Sequence, residues 1–346
     1  MGVNLTPIIV KQTLSLDDLR GKGLAVDASN YLYQFLALIR TRDGIPLKDK
    51  NGNITSHLAG LLFRSTRLIQ DYEMKLVFVF DGKPPKQKEQ EIIKRREQKD
   101  KALTEYKQAL EKGDLTTAWS KAVMTSRLTK PLIEDAKRLL TLLGIPYLQA
   151  PSEAEAQAAF MTKKNDVWAA SSKDYDSLLF GAPRLLRYLT IYGREFYPSK
   201  GTSKPLKPEL MELEKIFIYH GITQRQLIDI GILIGTDFNP EGIKGLGPKT
   251  ALKLIKEYGN IENLPPKVKS GVPEDFEEIR NLFLYPPTTN DYSLEYGELQ
   301  EEALLHFLCE ERDFSPERVQ TVIDRIKKFH AHKKQTHLEK WFSHGS

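Results

Sequence analysis

Seven carboxylates stand where an apolar run ends or a helix opens: Asp27 in GLAVDAS, Asp81 in LVFVFDG, Glu153 and Glu155 in PSEAEAQ, Asp174 and Asp176 in WAASSKDYDS, and Asp237 in ILIGTDF. Gathering acids from such positions into one cleft is unfavourable, because like charges raise one another's pKa unless a cation neutralises them. Divalent metal is the chemistry this pattern suggests. Hard cations take carboxylate oxygens and water, and paired ions about 3.5–4 Å apart clamp the attacking and leaving oxygens of a phosphodiester. Cys309 is the lone cysteine and no His cluster competes for a softer metal. Phosphoryl transfer assisted by bound Mg2+ follows as the reaction class. Taken singly, each acid has a plainer role. Ser152 would cap a helix from Glu153 to Met161 with Glu155 at the N3 position of a capping box, both Glu complementing the helix dipole, and an Asp after a strand is often a turn residue.

Three further segments carry recognition chemistry. GIKGLGPKT, Gly242 to Thr250, resembles a phosphate-binding loop but fails the nucleotide-triphosphate signature, because Pro248 stands where Gly must precede Lys249. Glycines between two helices, with Lys249-Thr250 opening the second, suit close approach of backbone N–H groups to a nucleic-acid phosphate. An ordinary helix corner that needs Gly for positive φ is the alternative. Near the end of the chain, QTHLEKWF spaces Gln335, Leu338, Trp341 and Phe342 as a set of anchors that meet a partner's pocket or dock back onto the core. Between Lys83 and Lys107, nine basic residues stand against five acidic ones in a chain whose net charge is only +5. That run reads as a phosphate-facing surface or as a solvated helix with i,i+4 ion pairs.

The elements that must position these groups are visible as periodicity. Apolar runs of strand length lie at Leu24 to Val26, Leu76 to Phe80 and Val167 to Ala170, with a fourth at Leu185 to Leu189. Helical patterns separate them: Tyr31 to Ile39, His57 to Gln70, and Ile133 to Leu143 stopping at Gly144 and Pro146. Strands alternating with helices argue for an α/β fold with a mostly parallel central sheet flanked by helices. The carboxyl ends of such strands form the ligand crevice, where Asp27 and Asp81 lie. Residues 83–130 are charged, thin in apolar periodicity and broken at Gly113-Asp114, which suggests an insertion over the sheet. Thr202 to Pro208 reads as a surface loop and 331–346 as a flexible tail, leaving 1–330 as one unit. A content of 40% hydrophobic and 28% charged residues is that of a folded soluble protein. Every apolar run is far shorter than the roughly 20 residues of a membrane span, no apolar signal segment opens the chain, and the single cysteine suggests a reducing compartment.

Taken together, VDASNYLYQF, VFVFDGKPP, APSEAEAQ, SSKDYDSLLFG, GTDFNPEGIKGLGPKTA and QTHLEKWF resemble the flap endonuclease family of structure-specific 5′ nucleases, in its archaeal form, in order and over essentially the whole chain. The resemblance implies a PIN-like 5′ nuclease core with a helical arch over 83–130 and a helix-two-turn-helix DNA-binding element over 220–258. It implies two Mg2+ ions, for which Mn2+ can substitute, held directly or through water by Asp27, Asp81, Glu153, Glu155, Asp174, Asp176 and Asp237. Lys88 and Arg95 would act on the scissile phosphate, and Tyr33 would stack on an unpaired base. Arg40 would stack at the junction, Arg64 and Arg67 would contact the template or 3′ flap strand, Lys83 would touch DNA, and Gly2 would lie near the catalytic centre. Gly245, Gly247 and Lys249 would grip duplex phosphates with a bound K+. Gln335, Leu338, Trp341 and Phe342 would form a box for a replication sliding clamp, with Trp341 where Phe or Tyr is more usual.

The implied activity is two-metal-ion hydrolysis of one phosphodiester at a single-strand/duplex junction, with associated 5′→3′ exonuclease activity, in Okazaki fragment maturation and DNA repair. The implied actor is a monomer without membrane association, working on branched DNA with a 5′ flap in the cytoplasm at an archaeal nucleoid, or in the nucleus if the chain is eukaryotic. Other readings stand beside it: a sister 5′ nuclease with a different junction preference, an aspartyl-phosphate phosphatase built on Asp174 and Asp176, and a non-catalytic clamp-bound DNA junction scaffold.

Overall fold

Gly23–Asp27 and Lys75–Phe80 are runs of Leu, Val and Phe buried on both faces, the composition of strands in the interior of a covered parallel sheet. In the computed structural model, which describes residues 2–41, 44–114, 117, 121, 125, 127–189, 193–197 and 202–328, they lie side by side. In chain order the strands are β1 (Gln12–Thr13), β2 (Gly23–Asp27), β3 (Lys75–Phe80), β4 (Tyr147–Gln149), β5 (Ala169–Ser171), β6 (Arg184–Arg187), β7 (Gly193–Tyr197), β8 (Thr202–Leu206) and β9 (Glu209–Glu212). A seven-stranded sheet has the order β1-β9-β6-β5-β2-β3-β4, and β7 pairs with β8 separately. The stretch from β6 to β4 is parallel throughout, and β9 and β1 close one edge in antiparallel fashion. From β2 the chain builds one way through β3 and β4, then returns to the other flank of β2 for β5 and β6. This reversal opens a crevice at the carboxyl ends of β2 and β5.

Alternate residues of the central strands feed two cores, as a pleat requires. Ala25, Val77, Val79 and Ala170 enter one, packed with the helices Ala154–Lys163, Gln224–Ile234 and Pro248–Tyr258. Leu24, Val26, Phe78, Phe80 and Ala169 enter the other, with the helices Ala28–Leu38, Lys130–Leu142 and 316–328. The highly charged helix Glu89–Glu111 supplies no side chain to either core among the described residues.

Several local expectations are corrected. The strand expected at Val167 to Ala170 is β5, Ala169–Ser171, and the one expected at Leu185 to Leu189 is β6, which runs from Arg184 and ends at Arg187. The run from His57 to Gln70 divides into a helix Ser56–Gly60, a wide π-helical segment Leu61–Ser65 and a helix Thr66–Tyr72. Thr202 to Pro208 is not a loop: Thr202–Leu206 pairs with Gly193–Tyr197, and Pro205 is tolerated because each strand of a two-stranded ribbon is an edge. Ser152 does not cap the next helix. Glu153 is the N-cap residue, the helix begins at Ala154, and no side-chain cap bond forms there, so Glu155 closes no capping box. Most of the 83–130 segment beyond Asp114 and all of 331–346 lie outside the described residues.

Candidate active site

Each acid is fixed by the element that brings it to the crevice. Asp27 ends β2 and caps the helix Ala28–Leu38, its Oδ1 accepting the Asn30 N–H at 2.9 Å. Asp81 follows β3, and its Oδ1 accepts the Ala154 N–H at 2.9 Å, which ties that strand end to the helix bearing Glu155. Gly82 allows the two loops to touch, since a Cβ there would fall 2.0 Å from the Ala150 carbonyl oxygen. Asp174 and Asp176 follow β5, and Asp176 Oδ1 accepts the Val3 N–H at 2.8 Å. Gly2 is pressed against this pair: a Cβ would lie 2.5 Å from Asp176 Oδ2 and 2.9 Å from Asp174 Cβ. Asp237 sits in the turn after the helix Gln224–Ile234.

The seven carboxylates lie in one another's electric fields. Burial raises Asp27 well above the ordinary carboxylate range, and Asp81 and Asp174 add to the effect. Glu155 is raised likewise by burial, then by Asp176, Asp27 and Asp174. Asp176 is pushed up to about 8 by burial, with Asp237 and Asp174 contributing. Glu153 is raised by burial although Lys88 opposes this. Asp237 moves the opposite way to these four: burial works against its ionisation, but Lys88 and Arg95 outweigh it and hold the carboxyl below its usual value.

Those two cations come from the charged segment after β3. Lys88 Nζ pairs with Glu153 and, at 3.3 Å, with Asp237. Arg95 Nη2 bonds both Asp237 oxygens at 2.7 Å, and its Nε donates to Glu91 at 2.7 Å. As the side chains stand, no three acidic, imidazole or thiol groups among the described residues converge closely enough to hold one ion. The donor set nevertheless fits a hard divalent cation: it is made of mutually repelling carboxylate oxygens, without sulfur or imidazole.

Comparison with known proteins bears on what such a cleft does. Residues 1–102 match the XPG N-terminal domain and residues 144–237 the XPG I-region. Flap endonuclease 1 of Pyrococcus abyssi is 49% identical over 99% of this chain and 98% of its own. The chain belongs to the flap endonuclease family. Flap endonuclease 1 of Hyperthermus butylicus is 48% identical over 99% of each chain. The solved flap endonuclease-1 of Methanococcus jannaschii is 40% identical, with a TM-score of 0.77 over 96% of this chain and 100% of that one. This flap endonuclease is therefore a structure-specific nuclease, a metal-dependent hydrolase of phosphodiesters in branched DNA.

The remaining residues singled out in this flap endonuclease lie around the acids, not among them. The Tyr33 ring carries Lys99 Nζ 4.5 Å from its centroid, and its hydroxyl accepts from the same ammonium at 3.2 Å. Arg40 donates to the Gly44 carbonyl at 2.8 Å and lines a cavity of about 650 Å³ with Arg127 and Arg312, a cavity that shares no residue with the acidic cluster. Arg64 lies 5.9 Å over the Phe35 ring, and Arg67 pairs with Asp71 at 3.1 Å. Lys83 is exposed, its N–H bonded to the Pro151 carbonyl at 3.3 Å. Gly245, at φ 81°, and Gly247 lead into the helix Pro248–Tyr258, of which Lys249 is the second residue. Gln335, Leu338, Trp341 and Phe342 fall outside the described residues. Two side chains that knit the acids together escaped the sequence reading: Asn30 and Ser172, the latter donating to Glu155 at 2.8 Å. Their only advance signal was position, one turn beyond Asp27 and two residues before Asp174.

Proposed function

We propose that this flap endonuclease hydrolyses one phosphodiester at the base of a 5′ flap in a site where Asp27, Asp81, Glu153, Glu155, Asp174, Asp176 and Asp237 hold two divalent cations, Mg2+ or Mn2+. The observation that carries the reading is the shared field of the seven acids, three of them driven far from their ordinary ionisation, with Lys88 and Arg95 drawn in among them. When bound, the cations supply Lewis-acid charge and lower the pKa of water. The chain's own part is preorganisation. Lys88 and Arg95 donate to the scissile phosphate as negative charge grows on its oxygens, and their existing ion pairs hold them at the cleft beforehand. Gly2 packs against Asp174 and Asp176 and, with the Val3 N–H, fixes the Asp176 carboxylate.

DNA is held by shape and not by sequence. The Tyr33 face stacks on an unpaired base, a sequence-tolerant contact of about 1–3 kcal/mol. Arg40, Arg64, Arg67 and Lys83 contact the strands around the junction. Gly245, Gly247 and Lys249 offer N–H groups and charge to duplex phosphates, with K+ assisting, at the start of a helix that favours anions. The segment 83–130 arches over a free 5′ strand, 5′→3′ exonuclease activity arises from the same site, and the chain works as a monomer tethered to a sliding clamp through Gln335, Leu338, Trp341 and Phe342. That last role is supported by the QTHLEKWF sequence alone.

The test is digestion of a labelled double-flap DNA beside blunt duplex and single strand, with Mg2+ or with chelator. Cutting at the flap base only in Mg2+, and much faster than on the other two substrates, is expected. Equal rates on all three, or undiminished cutting in chelator, would overturn the reading.

A further inference from the structure

Asn30 is the third residue of the helix that Asp27 caps. Its backbone N–H serves Asp27, but its side chain turns to the neighbouring strand end. Nδ2 donates to Asp174 Oδ2 at 3.0 Å, and Oδ1 accepts the Lys173 N–H at 3.2 Å. One residue thus spans the carboxyl ends of β2, which bears Asp27, and β5, which is followed by Asp174 and Asp176. The orientation of the amide is not free. The Lys173 N–H needs an acceptor and the Asp174 carboxylate needs a donor, so only one flip satisfies both. Gln34, one turn further, donates Nε2 to Asn30 Oδ1 at 2.6 Å and enforces that flip. It does so although its own Oε1 is buried without a partner among the described residues. A buried carbonyl left unsatisfied is unfavourable for folding, so the Gln34–Asn30 bond is maintained against that penalty.

We propose that Asn30 is a positioning residue of the cation site: it holds the Asp174 carboxylate in register with Asp27, and Gln34 sets its amide. The proposal rests on the reading of the acidic cluster as a cation site. Asn30 acts through Asp174 and touches neither DNA nor reacting atoms. Groups that orient metal ligands in this manner typically change affinity 10–100-fold when removed.

The test is Mn2+ titration of the full chain without DNA, followed by the electron paramagnetic resonance of free Mn2+. Asn30→Ala is expected to weaken Mn2+ binding about tenfold or more, and Gln34→Leu to weaken it less but in the same sense. Added to Asp174→Ala, Asn30→Ala is expected to have no further effect, since both act through one group. Flap cleavage by Asn30→Ala should show a lower kcat, with flap affinity measured in Ca2+ unchanged. Equal Mn2+ affinity in Asn30→Ala and wild type, or the same loss with and without Asp174, would sink the proposal. Thermal melts identify a variant that fails to fold. In that event Gln34→Leu carries the same comparison, and an undiminished affinity there counts against the proposal equally. Wild-type protein that binds no Mn2+ would remove the cation reading and this inference together, whereas wild-type binding with unaffected variants removes this inference alone.

Discussion

Lys88 is the side chain whose chemistry is most exposed to a single substitution. Its ammonium is held charged because Glu153 and Asp237 outweigh the opposing effect of burial, and it is poised for a group that develops negative charge. Lys88→Met should lower single-turnover flap cleavage on the order of 10²–10³-fold, the size found when one preorganised donor is removed. Flap affinity in Ca2+ should change little, and a purely structural role would instead move the melting temperature. Gly2 offers a second test, because a methyl group there meets Asp174 Cβ, which cannot swing aside. Gly2→Ala should cost on the order of ten- to a hundredfold in kcat through misplacement of Asp176, without loss of the folded state by circular dichroism. At this scale the acids were legible in the sequence because they stand where an apolar run ends or a helix opens. Asn30 and Ser172 were not, since a partner from a separate strand end exists only once β5 has been laid beside β2.

The helices that present Gly245 and Lys249 are braced from behind by ion pairs. Arg280 and Asp229 are both buried, joined at 2.7 Å, and Arg280 also donates to Glu262 at 2.7 Å. The helix Phe276–Leu284 is thereby pinned to the helix Gln224–Ile234. Removing one partner leaves a buried charge unpaired, so Arg280→Met should destabilise the protein by about 3–5 kcal/mol in urea unfolding. A loss below about 1 kcal/mol, the size of a surface pair, would show that water or a rearranged neighbour replaces the guanidinium. The long interior strands and the amphipathic helix Lys130–Leu142, which begins beside Pro131 and ends before Gly144 at φ 67°, were readable from periodicity. β4 and β9 were not, because Tyr147–Gln149 and Glu209–Glu212 mix polar and apolar residues and lack a continuous apolar run, and Pro205 disguised β8. The π-helical turn at Leu61–Ser65 keeps a helical apolar spacing and gives no separate sign.

For the molecule as a whole, buried titratable groups set the response to solution conditions. His57 is fully buried, with neither ring nitrogen partnered among the described residues, and burial, aided by Arg312, lowers its pKa from 6.5 to about 3. Between these values the unfolded chain binds a proton that the folded chain refuses, so this contribution to stability is complete above pH 6.5 and is lost as pH falls toward 3. His57→Leu should flatten the decline of the urea midpoint between pH 6 and pH 4, and an unchanged slope would assign acid sensitivity elsewhere. The acidic crevice carries the function, and it exists only because the chain order reverses about β2 and brings together residues more than 200 positions apart. Its most direct test is Asp176→Ala on a double-flap DNA, with binding measured in Ca2+ and single-turnover cutting in Mg2+. Binding within a few-fold of wild type with cutting abolished is the expected result, whereas cutting at the wild-type rate would contradict the assignment of these acids to the hydrolytic site.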